Sequence, residues 1–412
     1  MFISFRRLCC SLTTVAALSL VGTAFAADWA QWRGPNSDGV SKETGLLKQW
    51  PAEGPKQLWS YPIGAGYSCF SVVGDRVFTI GERDGGQWAV CVNTTDGKEV
   101  WKAQIGPVDP GQGFAGPRST PVIDGDKVYV LNPLGTLTCL NKADGKEVWK
   151  ENVMTLTGAK NLRWHLSSSV LVDGDKLIAP VGTSDSTGFI ALNKKDHKEI
   201  WRTKDANATG YSTPIVATLA GKKQYVCFAG NGAQGLDPEN GNVLWTVPWK
   251  TMSDVNAATP IIQGNKVLIS SGYNVGAGLY EINTDGSTKE LWKNKSLRAH
   301  FTSPILVGDA VYGYDDSVFV CLDFATGNVK WSQKEYGKGT AVVADGLLYV
   351  LGEKGNLALV KPNPAQFEKI SEFPTPLSKV EKPRCWTAPV VANGKLFVRD
   401  ENQMVCYDVK GK

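Results

Sequence analysis

Residues 119–150 read STPVIDGDKVYVLNPLGTLTCLNKADGKEVWK. An apolar run ends at Asp124-Gly125, and the alternating run Lys127–Leu131 follows. Pro133-Leu134-Gly135 then leads to a second alternating run, Thr136–Leu140, and Asp144-Gly145 leads to a last segment ending at Trp149. Short alternating runs rich in Val, Tyr and Thr, punctuated by Gly and Asp-Gly, predict four strands joined by tight turns. The closing heptapeptide DGKEVWK also occupies residues 96–102. Catalytic motifs are rarely duplicated, whereas structural units often are.

The echo runs along the chain. DHKEIWR, NGNVLWT, GSTKELWK and TGNVKWS repeat the heptapeptide, and PKQLWS repeats it without its turn. The tryptophans of these copies are Trp59, Trp101, Trp149, Trp201, Trp245, Trp292 and Trp331, spaced 42, 48, 52, 44, 47 and 39 residues apart, with a degenerate eighth copy at Ile370. A Ser-Thr-Pro-like mark recurs between them, as in Ser212-Thr213-Pro214 and Thr387-Ala388-Pro389. Four strands in about 40 to 50 residues is the period of a propeller blade. The expected fold is all-β: an eight-bladed β-propeller of four-stranded antiparallel blades, with the repeated tryptophan docking each blade on the next. The last unit stops before its Trp strand, while Pro55–Trp59 stands alone ahead of the first full unit. Pairing that N-terminal strand with the C-terminal three closes the ring and removes both open edges.

Three segments precede or compose this ring. Residues 1–26 have a basic start at Arg6-Arg7, an apolar middle and an Ala24-Phe25-Ala26 end, the pattern of a Sec signal peptide cleaved near Ala26. A periplasmic or extracellular protein is expected, with no spanning segment. Residues 27–56 carry Trp29, Trp32 and Trp50 among turn residues, which predicts an ordered extension packed on the outside of the propeller. Residues 57–412 are the propeller. The net charge of +4 falls to +2 without Arg6 and Arg7, too balanced for a nucleic-acid binder. Cys91, Cys139, Cys321 and Cys406 share one register in four blades, and read as small core fillers too far apart to bridge. A monomer is expected.

The pattern in CLNKADGKEVW, CLDFATGNVKW and GLDPENGNVLW resembles the pyrroloquinoline-quinone-like repeat, over about residues 57–412. The opening WAQWRGPNSDGVSKETGLL is similar to the N-terminal segment of secreted bacterial proteins of that group. The resemblance implies an eight-bladed propeller and two occupations, that of the quinoprotein alcohol dehydrogenases and that of the non-enzymatic, BamB-like assembly scaffolds. Fold does not choose between them. For the first, it implies pyrroloquinoline quinone with Ca²⁺ as cofactor and, in several members, two adjacent cysteines. The adjacent pair here, Cys9-Cys10, lies in the signal segment, and no catalytic residue or metal ligand aligns with those enzymes.

The loops entering the innermost strands line one mouth of a propeller channel, where ligands of closed β folds bind. Aligned on the Ser-Thr-Pro mark, the residue just before it is Tyr67, Arg118, Leu166, Tyr211, Ala257, Phe301, Lys338 or Trp386. One step earlier come His165, Asn256 and His300, with Arg163, Trp164, Arg298 and Arg384 close by. A basic and aromatic rim of this kind suits a flat or sugar-like anion. The alternative is that the arginines bond loop carbonyls and the aromatics plug the channel. His197, which replaces a turn glycine, is expected to be a solvated surface residue. Glu82, Asp84, Asp185, Asp315, Asp316, Glu353, Asp400 and Glu401 form an acidic set in neighbouring turns. They either pair with the cations or hold a divalent ion beside the ligand. The expected function is a ligand- or protein-binding scaffold, taking a protein partner or an anionic small molecule or saccharide. The alternative is a quinone-dependent alcohol dehydrogenase.

Overall fold

The strands of residues 119–150 form as the turns dictate. In the computed structural model, Val122–Asp124, Lys127–Leu131, Thr136–Asn141 and Glu147–Asn152 pair in sequence order as one antiparallel sheet. The structure describes Met1 and residues 28–111, 113–184, 187–204, 208–379, 381 and 383–411. Among these residues the strands make eight such sheets, arranged as an eight-bladed propeller. The signal segment lies outside the described residues. The middle strands are buried on both faces, because a blade is covered on each side by its neighbours.

The ring closes as the chain ends suggested. Gln57–Pro62 pairs with Gln403–Asp408, placing Trp59 opposite Cys406 and completing the eighth blade. Arg399 locks that blade to the first. Its fully buried guanidinium donates to the carbonyls of Gly66 (2.8 Å), Ile80 (3.0 Å) and Ser68 (3.1 Å). Desolvation lowers its pKa to about 10.

The indoles explain the repeated heptapeptide. Trp59, Trp101, Trp149 and Trp201 are buried, and each donates Nε1–H to a carbonyl in the next blade's turn: Thr94 (3.0 Å), Lys142 (2.9 Å), Lys194 (3.3 Å) and Pro238 (3.0 Å). Trp292 and Trp331 are half-buried and do the same to Phe324 and Asn363. Three residues after most of these carbonyls comes the turn glycine, and its bare face lies on the ring. A Cβ on Gly145 would come within 2.5 Å of Trp101, and one on Gly97 within 2.7 Å of Trp59. Both glycines also hold φ +70°, where side chains are strained. Three interfaces depart from this, and at the one made by Trp331 the residue three after Asn363 is Gln366. His197 takes the glycine position at φ +50° and stacks on Trp149 with ring centroids 5.3 Å apart, a surface side chain 41% exposed that also covers the indole. Trp245 turns back to Gln224 of its own blade. The cysteines at the shared register are buried and free, three of them opposite Trp101, Trp149 and Trp331.

Residues 28–45 do not pack on the outside, whereas Trp50 meets Ser371 and Phe373 on the outermost strand of the seventh blade. Ala30 accepts a hydrogen bond from Ile123 of the second blade, and Arg33 donates to Ser303 and Pro304 beside the sixth, across the ring. Val40–Ser41 adds a parallel strand to Thr340–Ala344, the innermost strand of the seventh. Glu43 takes the amides of Asn393 and Gly394, and Leu46 bonds Asp345. These last contacts are at the turns opposite the Ser-Thr-Pro loops. The extension therefore threads the far end of the channel, because backbone groups of eight converging inner strands offer it more partners than the outer faces do.

Replacing Trp149 by Ala should cost about 3–5 kcal/mol, as for a large buried aromatic. Gly145→Val should cost about 2–4 kcal/mol through backbone strain and overpacking. Urea denaturation of both variants measures this, and parental midpoints would show that the interfaces do not depend on the indole–turn contact.

Candidate functional site

The Ser-Thr-Pro loops surround a cavity of about 410 Å³ at the open end of the channel, whose lining also includes Trp32 of the extension. Of the aligned residues, Tyr67, Arg118, Tyr211, Ala257, Phe301, Lys338 and Trp386 line it, and only Leu166 of that register is buried elsewhere. Trp164 and His300 join them. Three aromatic residues beyond those aligned complete the wall: Trp32, Phe114 and Tyr273.

The rings touch one another in sequence around the mouth. Tyr67 stacks on Trp386 at 5.4 Å and 23°, and Phe301 meets the same indole at 4.6 Å. Phe114 bridges Trp386 (5.6 Å) and Trp164 (6.1 Å), while Tyr273 meets His300 edge-on at 4.8 Å. Glu353 orients the central indole by accepting Trp386 Nε1–H at 2.9 Å. Trp32 donates to Thr259 Oγ1 at 3.0 Å, which fixes it within the lining.

Three of the candidate cations are closely paired with carboxylates. Arg298 forms a two-pronged pair with Asp315 (2.5 and 2.6 Å), and Lys338 pairs with Asp316 at 3.0 Å. Arg384 lies over the rings of Phe114 and Trp386 and reaches Glu401 at 3.3 Å. Tyr67 donates to the same carboxylate at 2.7 Å, and burial with that contact pushes its hydroxyl up to about 12. Arg118 lies 4.0 Å from the buried Asp109, and burial lowers its guanidinium below the ordinary arginine value. Asp315, Asp316 and Glu401 of the acidic set thus pair with the rim cations, while Glu82 and Asp400 accept backbone N–H groups. Asp185 lies outside the described residues.

Besides Leu166, five of the candidate residues do not line the cavity. Asn256 is buried and donates to Ala229 O at 2.7 Å, so it ties the loop to its own blade. His165, at φ +62°, turns to Asp109, with Nδ1 2.7 Å from Oδ1. Arg163 reaches Ser253 Oγ at 3.1 Å and lies over Trp164. Arg298 and Arg384 are held by their carboxylates as described.

A quinone held by calcium would need several free carboxylates converging on one point. Among the described residues no three His, Cys, Asp or Glu side chains do so. Glu353 serves an indole, and Asp315, Asp316 and Glu401 serve cations. The donor set does not fit that cofactor. No helix of the described residues is long and apolar enough to cross a membrane.

Fold and repeat together define the class, a propeller built of pyrroloquinoline-quinone-like repeats. The sequence profile of the family described as outer membrane protein assembly factor BamB matches residues 85–333, and the chain belongs to that family. No curated protein matches its sequence. Among solved structures, BamB from Moraxella catarrhalis superimposes with a TM-score of 0.60 at 18% identity, covering 86% of this chain and 98% of that one. Quinohemoprotein alcohol dehydrogenase ADHIIG from Pseudomonas putida HK5 gives 0.55 at 12%, covering 94% and 81%. The computationally designed Ika8 protein gives 0.57 at 12%, covering 85% and 99%. At these identities the likeness is one of fold.

Burial, with Lys338 nearby, depresses the His300 pKa, while Asp316 opposes the shift. The folded chain then holds this proton less tightly than the unfolded one. Stability is full above the ordinary histidine range and falls as pH drops through it. His300→Gln should remove part of the stability loss between about pH 7 and pH 5. Denaturant midpoints across that range test it; parallel curves for parent and variant would place the acid sensitivity elsewhere.

Proposed function

We propose that the protein is an extracytoplasmic binding propeller. It is exported by its N-terminal signal and acts by non-covalent capture rather than by turnover, as a monomer. The observation that carries this is the basin itself. A cavity of about 410 Å³, walled by contiguous aromatic rings and including Trp32 in its lining, has the size and lining of a small-molecule site. Among the described residues no three carboxylate, imidazole or thiol groups converge on one point, which favours capture over dehydrogenase chemistry. Membership of a family described by outer membrane assembly supports work outside the cytoplasm. In this scheme the basin takes a small ligand, and the outer blade faces remain available to a protein partner. N-terminal sequencing of the exported chain should start at Ala27.

The test uses the purified mature chain and 8-anilinonaphthalene-1-sulfonate, an aromatic probe that fluoresces in apolar clefts. It should bind, and Trp386→Ala should weaken it about tenfold by removing the ring that joins Tyr67, Phe301 and Phe114. Equal binding by the variant would move capture away from the basin. Pyrroloquinoline quinone should bind no better with Ca²⁺ than without. Calcium-dependent binding together with alcohol-dependent dye reduction would overturn the binding reading in favour of the dehydrogenase.

A further inference from the structure

One indole on the basin lining keeps a free donor. Trp164 is half-buried and lines the cavity, yet its Nε1–H meets no acceptor and is not sealed from solvent. Every other indole N–H of the described residues is either hydrogen-bonded or wholly buried. Arg163 stands beside it. Its side chain is exposed, its guanidinium lies 5.3 Å from the Trp164 ring centre, and it donates to Ser253 Oγ at 3.1 Å. Among the described residues no carboxylate lies within ion-pair distance of it. Asp254, next to Ser253, holds Lys250 at 2.6 Å instead.

The remaining polar groups decide what suits this corner. No Asp or Glu is on the cavity lining among the described residues, so an ammonium finds no partner there. Arg298, Lys338 and Arg384 are engaged by Asp315, Asp316 and Glu401, and Arg118 turns its Nη2 to Phe114 O. Arg163 and Trp164 Nε1–H are left as the open cationic pole of the mouth. A carboxylate accepts from both, through a charge-assisted bond from the guanidinium and a second bond from the indole. Beyond that pole the wall is aromatic. Phe114 lies 6.1 Å from Trp164 and Trp386 5.6 Å from Phe114, and such faces receive a flat ring. A second carboxylate on the ligand would have to compete with Asp316 or Glu401 for a cation already taken.

We infer that the basin takes a small aromatic monocarboxylate, with its carboxylate on Arg163 and Trp164 Nε1 and its ring on the Phe114 and Trp386 side. This rests on the basin being the capture site. Arg163 then selects for charge and Trp386 holds the ring, so the two preferences are separable by substitution.

The experiment is calorimetric titration of the mature chain with 2-naphthoate and with its neutral isostere 2-naphthamide. Anilinonaphthalene sulfonate serves as a separate reporter of the basin. Naphthoate should displace the reporter and bind about tenfold tighter than naphthamide at about 50 mM NaCl, the gap narrowing to about threefold at about 500 mM. Arg163→Gln should weaken naphthoate about fivefold or more while naphthamide stays within about twofold. Trp164→Phe, which keeps a ring and removes the N–H, should weaken naphthoate about threefold with the same selectivity. Equal affinity of the parent for the two, or tighter naphthamide, would overturn the inference and leave aromatic capture intact. A preference for naphthoate that survives Arg163→Gln would overturn it as well. So would reporter binding that naphthoate does not displace, again with capture intact. Absence of reporter binding would instead remove the capture reading on which it rests.

Discussion

An indole that must lie flat on a neighbouring turn and donate its N–H to that turn's backbone constrains everything else in this ring. The ring face needs a turn without a side chain, hence the glycines at 97, 145, 241 and 327. The N–H needs a carbonyl three residues earlier, hence a turn of constant length. Each blade therefore carries the donor for one interface and the acceptor for the other, so neighbours fit in only one orientation. Where His197 replaces glycine, the ring stacks instead, and the indole's hydrogen bond to Lys194 is the longest of its kind at 3.3 Å. The exception shows what the glycine is for: close approach, with the positive φ as a second demand.

Because docking is confined to one end of each blade, the loops at the other end carry no share of blade-to-blade specification by the indoles. They are free to vary, which is the usual condition for a binding surface on a rigid scaffold. The extension completes the division. By crossing between inner strands of opposed blades it obstructs the far end of the channel and places Trp32 in the basin lining. The same residues thus stabilise the ring and shape the site. Trp32 enters the lining, and its neighbour Arg33 secures the crossing, a buried guanidinium that donates to the carbonyls of Ser37, Asp38, Ser303 and Pro304.

The fold was legible because its determinants are periodic. Strand alternation, turn glycines and the tryptophan spacing all repeat, and closure follows from one unpaired copy at each end. The main register of the site was legible for the same reason: seven of the eight residues preceding the Ser-Thr-Pro mark line the cavity. One step earlier the register holds only for His300, since His165 turns toward Asp109 and Asn256 toward Ala229. Phe114, Tyr273 and Trp32 escaped alignment for a different reason. They come from a long loop, a mid-blade turn and the extension, none of which the Ser-Thr-Pro alignment covers. Their only signal was being aromatic in otherwise polar segments. The path of the extension was misplaced because three tryptophans announce burial without saying where.

Charge was the least legible feature, and the reason is physical. A sequence displays cations and anions separately, while a ligand meets only what remains after they neutralise each other in space. Here Arg298, Lys338 and Arg384 each meet a carboxylate within 3.3 Å, whereas Arg118 stops 4.0 Å short of Asp109. Paired charges in a partly desolvated aromatic setting behave as fixed dipoles, which favour polar groups at particular points over net charge of either sign. Ring faces around them reward flat, apolar surfaces without regard to charge. A site built of those two elements discriminates by shape and by the placement of polar groups.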